Sequence, residues 1–90
     1  MKRVPGFILQ AIDEDTFAVA VTPEAMAIGT MIKLNSTAAF LFDLLETEHT
    51  EKECATALSA QFSVDADTAR RDVHAFLEAL KAAGLLVVDC

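Results

Sequence analysis

With 90 residues, 53% of them apolar, the chain holds enough material for one compact core and no second. Its net charge of −7 disfavours non-specific attraction to nucleic acid or to anionic membranes. No apolar run reaches the ~18–20 uninterrupted residues of a membrane span, and two cysteines, Cys54 on the apolar side of a helical segment and Cys90 at the chain's end, read as idle thiols in a reducing compartment rather than as a structural disulfide.

Met1-Lys2-Arg3 is basic, but the apolar run Phe7 to Ile12 is cut by Gln10 and ends in Asp13-Glu14-Asp15. That is a poor secretory signal, so a cytoplasmic location is expected. Phe7–Ile12 and Phe17–Thr22 are rich in aromatic and β-branched residues and flank the acidic stretch Asp13–Thr16. They predict an antiparallel hairpin with a four-residue loop. Pro23 ends the second strand, Glu24-Ala25-Met26-Ala27 is ambiguous, and Gly29 marks a turn. Thr30–Leu34 predicts a third strand with Thr30, Ile32 and Leu34 on one face and Met31 and Lys33 on the other.

Asn35 is a good N-cap and joins that strand directly to a helix expected from Ser36 to Glu46. Ala38, Phe40, Leu41, Phe42, Leu44 and Leu45 leave little of this helix polar, so it should be the central, most buried one. Thr50-Glu51-Lys52-Glu53 matches a capping box and opens a second helix whose inner stripe is Cys54, Leu58 and Phe62. A third helix is capped by Asp65, with Val64 placed to staple against Ala69. It buries Val73, Phe76, Leu77 and Leu80 and stops at Gly84. The apolar Leu85–Val88 either returns along the sheet or packs as an extended tail.

Catalytic chemistry finds no support. His49 and His74 are far apart, with no partner at metal-ligand spacing. The three glycines, Gly6, Gly29 and Gly84, form neither a phosphate loop nor a nucleophile elbow, and Ser36 follows a cap without a nearby base. Two binding features stand out instead. On the third helix Arg70, His74 and Lys81 share one edge beside the apolar stripe, and Lys33 can add a further cation from the third strand. A polar edge of this kind is also what any solvated helix face has. In a three-stranded meander the third strand is an edge, and an unpaired edge is a template for another strand. The alternatives are that the Leu85–Val88 tail covers that edge, or that a second copy of the chain does so as a homodimer.

The run Met31-Ile32-Lys33-Leu34-Asn35-Ser36-Thr37-Ala38-Ala39-Phe40-Leu41-Phe42 resembles the strand-to-helix signature of PqqD-like proteins, roughly Leu-Asn-x-Thr-Gly-Ala-Phe-Ile/Leu-Trp. The likeness continues through Thr50–Glu53, Phe62–Asp65, Ala69, Asp72-Val73, Phe76-Leu77, Leu80 and Gly84-Leu85-Leu86. Ala38 stands where glycine is usual and Phe42 where tryptophan is common. The resemblance implies an α+β, winged helix-turn-helix-like fold, with a three-stranded antiparallel sheet followed by a three-helix bundle. It treats residues 1–90 as one peptide-recognition domain, with strands within 7–34 and helices within 36–83. It also implies a non-enzymatic adaptor without cofactor, which binds the leader of a ribosomal precursor peptide. The adaptor then delivers the leader to a modifying enzyme, often of the radical S-adenosylmethionine class. In the family the leader adds as a strand beside the third strand and packs against the last helix. Carried over, that implicates Met31, Ile32 and Lys33 with Arg70, His74, Leu77 and Lys81.

Two readings compete. The topology permits the third helix to act as a nucleic-acid recognition helix. Against this, phosphate contacts need more cations than a helix that also carries Asp67, Asp72 and Glu78. A purely structural subunit of an enzyme complex differs from the adaptor by needing no peptide ligand.

Overall fold

The computed structural model describes residues 1–87. In chain order its elements are β1 (Lys2–Arg3), β2 (Phe7–Ile12), β3 (Asp15–Ala20), α1 (Pro23–Ile28), β4 (Met31–Leu34), α2 (Ser36–Leu44), α3 (Glu51–Phe62), α4 (Ala66–Ala82) and β5 (Leu86–Val87). The three longer strands form the expected antiparallel sheet in the order β2-β3-β4. It pairs Ile8 with Val19, Gln10 with Phe17, Phe17 with Lys33 and Val19 with Met31.

The hairpin is tighter than the sequence predicts. Ile12 pairs with Asp15, so Asp13 and Glu14 alone make the turn and Asp13 takes the left-handed conformation at φ 58. Pro23–Ile28, which contains the ambiguous stretch, is a helix. Thr22 caps it by accepting from the Ala25 N–H, and Pro23 sits where its missing N–H costs nothing.

The later helices follow their local chemistry. Asn35 Oδ1 accepts from the Ala38 N–H at 2.8 Å, and α2 ends at Leu44, two residues before the expected end. The reciprocal capping box of Thr50 and Glu53 forms, with bonds of 2.8 and 3.0 Å. Asp65 caps α4 through the Thr68 N–H at 2.9 Å. At its other end Gly84 turns left-handed at φ 76, the Leu85 N–H reaches the Leu80 carbonyl at 2.8 Å and the Gly84 N–H reaches that of Lys81 at 3.1 Å. That bonding pattern is a Schellman ending.

The core lies between the inner sheet face and the helices. Phe42, Leu41, Leu45, Leu58, Val73 and Cys54 are its largest fully buried side chains, and Phe7 meets Phe42 edge-on at 6.0 Å between ring centroids. Phe62 and Phe76 lie half-buried at its margin. Cys54 is a free thiol in this core, and burial pushes its pKa up. Cys90 lies outside the described residues.

A second, two-stranded sheet is absent from the sequence reading. Lys2 pairs with Val87 and Arg3 with Leu86, so the chain's last described strand returns to β1 and not to the three-stranded sheet. Arg3 is buried here (7% exposed), with Nε donating to the Phe42 carbonyl at 2.8 Å and Nη1 to that of Phe7 at 3.3 Å. Its guanidinium lies 4.5 Å from the centroid of the Phe42 ring.

Candidate functional site: the open edge of the sheet

Antiparallel pairing alternates between residues that bond their neighbour strand and residues whose main-chain groups point the other way. The Ala20 N–H bonds the Thr30 carbonyl at 3.0 Å, which places Thr30, Ile32 and Leu34 on the bonding side towards β3. The N–H and C=O groups of Met31 and Lys33 therefore point outward, and among the described residues no strand pairs with that side of β4. The opposite edge of the sheet is partly closed, because Arg3 already occupies the outward carbonyl of Phe7. Side-chain burial follows the same alternation. Leu34 is buried and Ile32 half-buried on the core face, while Met31 and Lys33 are exposed on the other.

The basic residues singled out from the sequence all have acidic partners. Lys33 Nζ is 3.6 Å from Asp15, His74 Nδ1 is 3.5 Å from Glu51, Lys81 Nζ is 3.8 Å from Glu78, and Arg70 pairs with Asp67. Every one of these pairs is solvent-exposed, so each contributes little, about 0–1 kcal/mol. The position of Arg70 and His74 is informative. Glu51 belongs to α3, and Arg70 helps line a groove of about 770 Å³ between α3 and α4 together with Ala55, Ser59 and Ala66. These two side chains thus sit on the α3 flank of α4. Leu77 is 4% exposed and belongs to the core.

Two features of this region escape a sequence reading. The outward parity of Met31 and Lys33 needs the strand register, which no single strand reveals. The Arg3 clamp needs contacts with residues four and 39 positions away.

A structure described as "TbiB1 in Complex with the TbiA(beta) Leader Peptide" resembles this chain with a TM-score of 0.74 at 28% identity, covering 100% of this chain and 99% of that one. A second, "Lasso peptide synthetase B1 complexed with the leader peptide", has a TM-score of 0.69 at 23% identity, covers 97% of this chain and 96% of its own, and supports the fold alone. A search of curated proteins finds no match. The family model for coenzyme PQQ synthesis protein D (PqqD) matches residues 9–86, a stretch from β2 to β5 that contains both the open β4 edge and α4, and the chain belongs to that family.

Proposed function

We propose that the chain is a non-catalytic adaptor that binds the leader segment of a ribosomal precursor peptide and presents it to a modifying enzyme, of the radical S-adenosylmethionine class. The observation that carries this reading is the outward row of main-chain donors and acceptors at Met31 and Lys33. An extended peptide can complete that row as a fourth strand, taking affinity from backbone hydrogen bonds and specificity from the flanking side chains. Family membership and a leader-bound structural relative at 28% identity support it. Met31, Ile32 and Lys33 supply the strand side of the site. Arg70, His74 and Lys81 are the basic ridge of this reading, and Leu77 acts on it from the core.

The test exploits the parity of β4. The Lys33 N–H points away from β3, so Lys33→Pro removes a donor from the open edge and leaves the internal ladder intact. With the leader of the cognate precursor, isothermal titration should show affinity falling by about tenfold or more. Arg70→Glu combined with Lys81→Glu should weaken an acidic leader by roughly three- to tenfold without unfolding the domain. Unchanged affinity in the proline variant removes strand addition; unchanged affinity in the double variant removes the role of the ridge.

A further inference from the structure

The outer face of the three-stranded sheet carries apolar side chains that the fold leaves uncovered. Ile8 and Met31 are 47% and 51% exposed, and Val19 is half-buried. The register sets the three in one row, Ile8 beside Val19 and Val19 beside Met31. The adjacent row is Gln10, Phe17 and Lys33. Both rows therefore end at the two β4 residues whose main-chain groups face outward.

We propose that the guest strand carries an apolar side chain beside Met31 and, two positions away, an acidic one beside Lys33, and that the row Ile8–Val19–Met31 is the subsite that fixes its register. The proposal rests on the strand-addition reading and deepens it by naming which guest positions are read. Backbone pairing alone tolerates slippage, and a one-residue slip turns every guest side chain to the opposite face. Two outer-face positions of unlike chemistry remove that freedom. An apolar guest residue lengthens a row of three apolar side chains that water now wets. An acid placed there would meet no cation in the row. Beside Lys33 the demand reverses: its nitrogen lies 3.6 Å from Asp15 in an exposed pair that contributes little, so a guest carboxylate can displace Asp15 as its partner. Neighbouring strands stand ~4.8 Å apart, within reach of such side-chain pairing.

Randomised peptides of about a dozen residues, displayed on phage, are selected against the intact wild-type chain, and enriched peptides are titrated by fluorescence anisotropy. The expected sequences carry an apolar residue two positions from Asp or Glu, on either side according to strand direction. Met31→Asp, at a position exposed enough for the fold to tolerate it, should weaken them by about tenfold. Lys33→Glu should shift the selected acidic position to Lys or Arg. Ile12→Asp is the control, since Ile12 lies on the same face but in the row of Asp15, outside the β4 strand, and should change affinity less than about twofold. Peptides lost with Lys33→Pro, kept by Lys33→Ala and indifferent to Met31→Asp would overturn the outer-row subsite while sparing strand addition. Peptides that bind Lys33→Pro as tightly as the wild type would overturn both.

Discussion

A methyl group at position 6 has no room. The Cβ of an alanine there would lie 2.4 Å from Thr22 Oγ1 and 2.9 Å from the Ala25 side chain, and the backbone stands at φ +98. Gly84 also has a positive φ, +76, but an added Cβ would meet nothing within 4 Å. The two glycines separate steric from purely conformational demand. Gly6→Ala should cost roughly 2–4 kcal/mol, from strain and overpacking together. Gly84→Ala should cost about 1 kcal/mol for the left-handed backbone alone. Urea unfolding of the two variants checks this, and equal midpoints would show that the crowding around Gly6 relaxes at no cost. The consequence is local but directed. Gly6 lets the chain after β1 pass against Thr22 and Ala25, where the Gly6 carbonyl accepts from the Val21 N–H at 2.7 Å.

The elements show which parts of the fold can be read from sequence and which cannot. Caps are local chemistry, so Asn35, Thr50–Glu53 and Asp65 were legible, and all three form as expected. Glu24–Ala27 reads as ambiguous although Thr22-Pro23-Glu24 is a helix-start signature, because the stretch after it is too short to show a helical period. The hairpin is tighter than its sequence suggests because Asp13 at positive φ absorbs the turn, a role the residue type permits without announcing. At the candidate site the alternation of Met31, Ile32 and Lys33 is visible. So are Asp67 and Glu78, three positions from Arg70 and Lys81 on the same helix; Asp15 and Glu51 are not, because Lys33–Asp15 and His74–Glu51 join separate elements.

The caps also predict a pH dependence. Side-chain and backbone hydrogen bonds with Thr68 hold the Asp65 carboxyl below its ordinary value of 3.8, and the Thr50 backbone N–H chiefly holds Glu53 below its ordinary 4.5. A carboxylate with a depressed folded pKa contributes stability that is present above its ordinary value. That contribution is lost as pH falls through the folded one. Asp65→Asn keeps an oxygen acceptor for the Thr68 N–H but cannot titrate. It should unfold with a neutral-pH midpoint near that of the wild type and a shallower loss of stability below pH 3.8. Identical acid profiles would show that the Asp65 cap carries none of the acid sensitivity.

At the scale of the molecule, Arg3 ties together parts that the sequence keeps apart. Its guanidinium bonds carbonyls of α2 and β2, lies over the Phe42 ring and comes within 4.0 Å of Glu46. Meanwhile its main-chain N–H bonds the Leu45 carbonyl at 2.8 Å. Arg3→Ala strips the partner from two carbonyls in the interior and should cost roughly 3 kcal/mol. Arg3→Lys should recover little of it, since one ammonium cannot reproduce the planar fork. Thermal unfolding of the pair measures both effects, and a rescue by lysine would reduce the clamp to a charge. The sequence offered only a basic start to the chain; what makes Arg3 structural is its long-range surroundings.

The shortness of β4 has a kinetic corollary. Met31 and Lys33 each offer one N–H and one C=O, so the ladder within the strand can grow by no more than four bonds. At about 0.5–1.5 kcal/mol net apiece, they roughly offset the ~2–5 kcal/mol needed to order a flexible segment. Residence time is thus left to the few side chains around the edge. Such a grip is firm enough to select an extended segment and brief enough to let it go.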